Sequence, residues 1–101
     1  MSELKVEKHW VDGGQLFVKV SCPDREKLTG GIRQFVTDFV SKPESNLAAW
    51  TGAGVEKVEC PQAFDPLHPE GDPVEVGKKA SAEGRLVRWM FTQTVRLTRS
   101  I

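Results

Sequence analysis

The chain has 101 residues, the size of a single domain, and residues 1–101 are therefore expected to fold as one unit. Apolar residues make up 39% and charged residues 28%, which excludes an intrinsically disordered chain and favours a folded globular protein. Fourteen basic and fourteen acidic side chains cancel, so net charge does not draw the molecule to nucleic acid or an anionic membrane. A charged partner must be met by a local patch.

The lack of a recognisable targeting signal and the low number of cysteines favour a cytoplasmic protein with no membrane partner. No apolar run is long enough to span a bilayer, and residues 1–5 lack the apolar centre of a secretory signal. The two cysteines, Cys22 and Cys60, are too few for a disulfide scaffold or a four-thiolate zinc site. We expect reduced, structural thiols, with one internal disulfide as the alternative, and neither a metal nor an organic cofactor.

Two segments near the start of the chain alternate apolar and polar residues, which is typical of half-buried strands. They are residues 4–10 and 15–21. A three-residue loop over residues 12–14 places both apolar rows on one face and pairs Trp10 with Leu16. The same register places His9 on the solvent side, opposite Phe17. The sequence thus predicts a β-hairpin.

An amphipathic helix is predicted after the hairpin. Pro23 suits the first helical position because no N–H donor is needed there, and Lys42-Pro43 ends the helix. Between these points apolar residues recur at spacings of three and four, so they form one stripe that covers the hairpin. The stripe consists of Leu28, Ile32, Phe35, Val36, Phe39 and Val40.

The middle of the chain predicts a surface loop. Residues Pro61–Pro73 contain four prolines, which cannot donate hydrogen bonds to a strand ladder. Asp65, His68 and Glu70 of this loop match no metal-binding spacing, so we do not expect a metal site there. A solvated acidic loop that contacts a protein partner is the favoured interpretation.

The last part of the chain carries a long alternating run over residues 85–101, which predicts a strand with one buried face. Its extended length of about 55 Å far exceeds the radius of gyration of about 13 Å expected for a chain this size. The strand must therefore bend, near Gln93 where the apolar row is interrupted, or its end must leave the domain. A departing end would expose Val95, Leu97 and Ile101 as an unpaired apolar edge, which proteins normally cover with a partner. We predict a homodimer formed by strand addition or exchange.

Together these elements predict an α+β fold, an antiparallel sheet of four to five strands with one main helix on one face. The expected order is a β-hairpin, a helix, a short strand at residues 55–60, a long loop and a C-terminal hairpin formed by residues 74–80 with the long run. Trp50 is expected to cover the core from a short helical turn before the short strand.

Charge is uneven along the chain, and it provides the alternative to a protein-binding or assembly module. Residues 44–76 hold seven acids and one lysine, whereas residues 77–101 hold six bases and one acid. We expect these regions to pair internally; the alternative is a basic, nucleic-acid-binding sheet surface. Its residues would be Lys78, Lys79, Arg85, Arg88 and Arg96. Aromatic stacking platforms are missing there, because Trp89 and Phe91 fall on the apolar face.

Cys22 supports a second alternative, a small thiol-dependent enzyme or redox sensor. It lies at the predicted start of the helix, where the helix dipole favours a thiolate. No base is recognisable as its partner, so a small apolar side chain that closes the strand-to-helix joint is the favoured interpretation. The protein is accordingly expected to be non-enzymatic.

Overall fold

Residues 3–99 are described by a computed structural model, and within them the chain forms five strands and two helices. The strands are β1 (Lys5–Asp12), β2 (Gln15–Cys22), β3 (Gly54–Lys57), β4 (Gln62–Phe64) and β5 (Met90–Thr98); the helices are α1 (Arg25–Ser41) and α2 (Pro73–Ala82). Single 3-10 turns occupy Pro43–Ser45 and Ala48–Trp50. Neither α1 nor α2 is long and apolar enough to cross a membrane. The predicted α+β class, an antiparallel sheet with one main helix packed on it, is confirmed.

The sheet has the strand order β1-β2-β5-β3, and β4 also pairs with β5. All pairings are antiparallel. β2 pairs with one edge of β5 over residues 91–97. The short strands β3 and β4 therefore both lie along the other edge, where Thr98 pairs with the first residue of β3 and Thr92 with the first residue of β4. The intervening residues 58–61 form a bulge, held where the Val58 N–H donates to the Thr94 carbonyl at 3.2 Å. The short strand predicted at 55–60 is therefore only Gly54–Lys57.

β5 lies inside the sheet, and the predicted unpaired apolar edge is wrong. β2 pairs with one side of β5, and β3 and β4 pair with the other. Val95 is 0% exposed and Leu97 1%, because both side chains face α1 in the core. Ile101 lies outside the described residues. The length argument fails because the strand has nine residues rather than seventeen.

The β1–β2 turn consists of two residues, Gly13 and Gly14, rather than the three predicted. Their φ angles are 59° and 76°, the left-handed conformation that a two-residue hairpin turn requires. Asp12 therefore pairs with Gln15. This one-residue change in the turn moves the end of β1 by one position relative to the predicted register.

The shifted register reverses the faces of two aromatic side chains. Trp10 lies opposite Phe17, not Leu16, on the face away from α1. His9 lies opposite Val18 on the face toward α1, where its ring is 5.8 Å from that of Phe39. A β-bulge between Val6 and Lys8 then restores the earlier half of β1, because Val6 again pairs with Val20. The alternating pattern of residues 4–10 therefore spans a bulge and is not one uniform strand face.

α1 begins at Arg25 because Asp24 caps it. The Asp24 carboxylate accepts hydrogen bonds from the N–H groups of Glu26 and Lys27, at 2.9 and 3.1 Å. Pro23 consequently lies before the cap rather than at the first helical position. The predicted apolar stripe is confirmed. Leu28, Ile32, Val36 and Val40 are buried, and Phe35 and Phe39 are half-buried against the same core.

A second helix, α2, replaces the first strand of the predicted C-terminal hairpin. Asp72 caps it by accepting a hydrogen bond from the Val74 N–H at 2.8 Å, and Pro73 occupies the first turn. Val76 and Ala80 form its buried side. After α2 the chain runs without regular structure until β5 begins at Met90, so the fifth strand of the sheet is β4 instead of a segment over 74–80.

One hydrophobic cluster lies between α1 and the sheet, and Trp50 covers its end as predicted, with 6% of its surface exposed. The guanidinium of Arg99 lies 4.6 Å from the centre of the Trp50 ring. Both cysteine thiols are free: Cys22 is in the core, and Cys60 is exposed in the bulge between β3 and β4.

Candidate functional site

The face of the sheet opposite α1, here called the open face, carries polar, basic and aromatic side chains. Strand periodicity places them there, because alternate residues of β2 and β5 point away from the core. The open face includes Lys8 and Trp10 of β1, Phe17 and Lys19 of β2, and Thr92, Thr94 and Arg96 of β5. α1 covers the other face, so these side chains are not packed against that helix.

An aromatic pair stands on the open face. The rings of Trp10 and Phe17 are stacked, with their centres 5.5 Å apart and their planes 9° from parallel. The Lys8 ammonium lies 5.0 Å from the centre of the Trp10 ring. On the far side of Phe17, its cross-strand partner Arg96 forms an ion pair with Glu56 of β3. A row of cations and aromatic rings therefore crosses three strands of the sheet.

The sequence did not predict this row, because the residue that lies opposite Trp10 depends on the length of the β1–β2 turn. The expected loop of residues 12–14 placed Trp10 on the core face, away from Phe17. The signal that could have identified it is the Gly13-Gly14 pair, since two adjacent glycines satisfy the positive φ angles of a two-residue turn. With that turn, the rings become cross-strand neighbours.

A cleft of about 680 Å³ lies between the open face and the loop that follows β4. Lys8, Lys19 and Thr92 of the sheet line one side. The remaining lining includes Gln62 and Phe64 of β4, and Pro69 and Glu70 of the loop. The cleft combines cations, carboxylates, hydrogen-bonding groups and apolar surface, so a ligand with polar and apolar parts can contact both kinds of group there.

Two lysines of this cleft occupy opposed positions on neighbouring strands. Lys8 of β1 and Lys19 of β2 are directly opposite in the strand register, and both line the cleft. Among residues 3–99, neither ammonium lies within 4.0 Å of a carboxylate. Glu7 also lines the cleft, but its carboxylate accepts a hydrogen bond from the Ser21 hydroxyl. Neither ammonium is therefore occupied by a carboxylate of these residues, and that of Lys8 lies beside the Trp10 ring.

Asp65, predicted to contact a partner, instead anchors the loop. Its side chain is 2% exposed, and its carboxylate accepts hydrogen bonds from the Leu67 N–H at 3.0 Å and the Arg85 guanidinium at 3.1 Å. Burial alone would raise the pKa of this carboxyl, but these two donors together hold the pKa below its usual value of 3.8. Asp65 therefore stays ionised at neutral pH and fixes the start of the loop to the segment after α2.

His68 and Glu70 are exposed, but they face different depressions. Glu70 lines the cleft. His68 lines a smaller pocket of about 250 Å³ together with Lys79 and Arg85. The three predicted protein-contact residues of the loop are therefore separated, and only Glu70 belongs to the cleft.

Three of the five predicted nucleic-acid-binding residues, Lys79, Arg85 and Arg88, line two pockets that share Arg85, whereas Arg96 lies on the sheet. Lys78 and Lys79 are on α2, Arg85 is bound to Asp65, and Arg96 lies across the sheet in its ion pair with Glu56. Arg88 is exposed beside a different pocket, which it shares with Arg85 and Leu86. The Arg85 and Arg96 pairs join the basic C-terminal region to the acidic middle region, in agreement with the expected internal pairing.

Cys22, proposed above as an alternative reactive thiol, is buried. Its side chain is 0% exposed in the hydrophobic core, and its sulfur accepts a weak hydrogen bond from the Asp24 N–H at 3.4 Å. The position thus fits the structural interpretation of this thiol. Within residues 3–99, no three histidine, cysteine, aspartate or glutamate side chains are grouped to hold a metal ion.

Comparisons of the chain with protein-family models, with curated proteins and with solved structures found no match.

Proposed function

We propose that this protein is a non-enzymatic protein-binding module whose binding site is the cleft and the adjoining open face. The observation that carries the proposal is the cleft itself, a concavity of about 680 Å³ on the side of the sheet that α1 leaves uncovered. Phe64 and Pro69 offer apolar contact, and Gln62 and Thr92 offer hydrogen bonds. An extended peptide segment can use both kinds of contact at once, because its side chains alternate in direction.

The mixed charge of the cleft favours a peptide over a polyanion. Glu7 and Glu70 line it together with the two lysines, and the whole chain has zero formal charge. Closely spaced phosphates would meet these carboxylates as well as the ammonium groups, so much of the attraction would cancel. A peptide carries isolated charges and does not meet this penalty.

A random-peptide phage library tests the proposal. Thr92→Trp fills the floor of the cleft, and Thr37→Trp makes the same substitution on the exposed side of α1 as a control. We expect the wild-type protein and Thr37→Trp to enrich a common set of peptides that Thr92→Trp does not retain. Circular dichroism must show that both variants fold. Equal enrichment on Thr92→Trp, or none on the wild type, would contradict the proposal.

Single-stranded nucleic acid is the second candidate, and one observation favours it. Trp10 and Phe17 stand on the open face beside Lys8, and bases can stack on such rings while lysines contact phosphates. Fluorescence anisotropy with labelled oligothymidylate and oligouridylate tests this candidate. It requires binding that weakens steeply with salt and is lost in Trp10→Ala but not in Arg33→Ala on α1. Absence of binding at low salt would remove it.

Self-association is retained as a proposal only at β1, because β5 has no free edge. β1 is the first strand in the sheet order. Two antiparallel copies of β1 can pair beyond the bulge, over residues 8–12, with Lys8 opposite Asp12 and His9 opposite the exposed Val11. Light scattering at micromolar concentration should give twice the mass of the chain, and Val11→Lys should halve it. A monomeric mass for the wild type counts against the homodimer.

A cytoplasmic location completes the proposal. It is supported by the free thiol of Cys60, since an exposed cysteine persists unpaired in a reducing compartment. Rapid alkylation in intact cells, followed by mass spectrometry, should label Cys60 and leave the buried Cys22 unmodified. Recovery of Cys60 as a mixed disulfide would argue for an oxidising compartment.

A further inference from the structure

The sheet side of the cleft carries two lysines on neighbouring strands. Lys8 and Lys19 occupy directly opposed positions of an antiparallel pair, with both side chains on the open face. Like charges in such positions destabilise a sheet. Nothing within residues 3–99 neutralises either ammonium through an ion pair, and both line the cleft. The Lys8 ammonium lies 5.0 Å from the centre of the Trp10 ring, and both lysines are placed to meet an anion that enters the cleft.

We propose that Lys8 and Lys19 together bind one carboxylate of the partner peptide. This inference rests on the proposed protein-binding function and names the group recognised at its site. A carboxylate has two oxygens, so each can accept a hydrogen bond from a different ammonium group. Thr92 and Gln62 line the same cleft and supply further hydrogen-bonding groups.

The surroundings of the lysines limit the ligand to a single carboxylate beside apolar groups. Glu7 and Glu70 are part of the cleft lining, so a second anionic group next to the first would be repelled. Phe64 and Pro69 provide the apolar part of the lining. The recognised sequence is therefore an acidic residue with an apolar neighbour, or an apolar residue that ends in the chain's own carboxyl terminus.

The experiment measures the affinity of individual peptides taken from the library that the wild-type protein enriches. Each peptide is synthesised in three forms: unchanged, with its acidic residue replaced by the amide, and with an amidated C-terminus. Calorimetry is carried out on the wild type, Lys8→Gln, Lys19→Gln and the control Lys42→Gln, which alters an exposed lysine at the end of α1. Loss of binding in the amide-substituted or the amidated form distinguishes a side-chain carboxylate from a terminal one.

We expect the dissociation constant to rise about tenfold in Lys8→Gln and in Lys19→Gln, and to stay within about twofold in Lys42→Gln. The double variant Lys8→Glu/Lys19→Glu should instead enrich peptides that carry a lysine at the recognised position. That second selection keeps the proposal testable if either single variant is unstable.

Three results would overturn the inference. Cleft-dependent peptides that bind both glutamine variants as tightly as the wild type would remove the carboxylate site and leave the protein-binding function intact. Failure to enrich any peptide would remove both. Tighter binding of oligothymidylate than of any peptide, lost in the same lysine variants, would assign the two cations to phosphate.

Discussion

At the residue scale, Lys19 is expected to favour binding of the proposed carboxylate and to lower the stability of the free protein. Replacing it by glutamine removes the repulsion with the directly opposed Lys8, so we expect the free energy of unfolding to rise by about 0.2–1 kcal/mol. For a domain of this size, that corresponds to an increase in Tm of about 1–8 °C. Thermal unfolding followed by circular dichroism at low ionic strength measures the change.

The control for this prediction is Lys42→Gln, which alters a lysine at the C-terminal cap of α1. It should leave Tm unchanged. The gain in Lys19→Gln should also shrink at about 1 M salt, where screening acts within about 3 Å. A lower Tm in Lys19→Gln would show that the lysine is stabilising and that the repulsion is already neutralised by its surroundings.

The Asp65 carboxyl is expected to make the free energy of unfolding depend on pH. Because the pKa of its carboxyl is lower in the folded protein than the usual 3.8, its stabilising contribution is complete above that value and is lost as the pH falls through the folded pKa. Asp65→Asn should therefore unfold more easily than the wild type at neutral pH. The difference should narrow below about pH 4, as the wild-type carboxyl becomes protonated. Urea unfolding between pH 2 and pH 7 measures both curves.

A second variant separates the Asp65 effect from a general change in charge. Glu44→Gln removes an exposed carboxylate that has no ion pair among residues 3–99, so its unfolding curve should follow the wild type at every pH. A constant difference between Asp65→Asn and the wild type across the whole range would mean that the carboxylate charge contributes nothing.

The role of Asp65 also shows what residue-level patterns cannot predict. Its sequence surroundings, rich in proline and acidic residues, indicate a solvated position. Its burial depends on Arg85, which follows twenty positions later, beyond α2. No local spacing encodes that contact, because it forms only when the loop and the segment after α2 come together.

At the element scale, replacing glycine by alanine should have opposite effects on stability in the β1–β2 turn and in α1. Gly14 has a φ of 76°, so Gly14→Ala places a side chain in the left-handed region and should cost about 1–2 kcal/mol. Gly30 lies within α1, and an added Cβ there would meet nothing within 4 Å. Gly30→Ala should therefore stabilise the protein by about 0.5–1 kcal/mol. Urea unfolding of the two variants should give shifts of opposite sign.

The glycine pair of variants also tests the observed hairpin register. If Gly14→Ala were neutral, the two-residue turn would not be required, and the placement of Trp10 beside Phe17 would lose its support. Gly13→Asn serves as the control, because asparagine followed by glycine is the preferred pair in such turns and should be tolerated.

Elements with a strong local period were predictable, and those set by turns or short contacts were not. α1 was predictable because its apolar stripe, from Leu28 to Val40, runs along most of a 17-residue helix. α2 was missed because only Val76 and Ala80 mark its buried side within a polar, proline-flanked segment. Asp72 followed by Pro73, with Glu75 three positions after Asp72, was the available start signal, since it is the pattern of a capped helix.

The cleft could not be predicted from the sequence for a related reason. Its two sides come from the start of the chain, where a bulge between Val6 and Lys8 re-aims β1, and from the loop that follows β4. Alternation within one strand reports which side a residue faces only while the register is unbroken. The sequence shows the basic and acidic residues, but it does not show that Lys8, Lys19 and Glu70 line one cleft.

At the scale of the whole molecule, the fold is elongated, 53 × 31 × 21 Å, and its apolar contacts fall into two parts. The main cluster joins α1 to the sheet. Val76 and Ala80 of α2 are buried but lie outside that cluster. The part of the molecule that borders the cleft from the loop side is therefore attached by fewer apolar contacts than the sheet that forms the cleft floor.

This division predicts two levels of stability, measurable by native-state hydrogen exchange. Amides of α2 should exchange through local opening at a lower free energy than those of β2 and β5, which should require global unfolding. Val76→Ala should weaken protection in α2 while leaving that of the sheet almost unchanged. In contrast, Val36→Ala in the main cluster should lower protection throughout, by about 2 kcal/mol. Equal protection in α2 and the sheet would mean that the wall of the cleft is as rigid as its floor, and that a partner meets a preformed site.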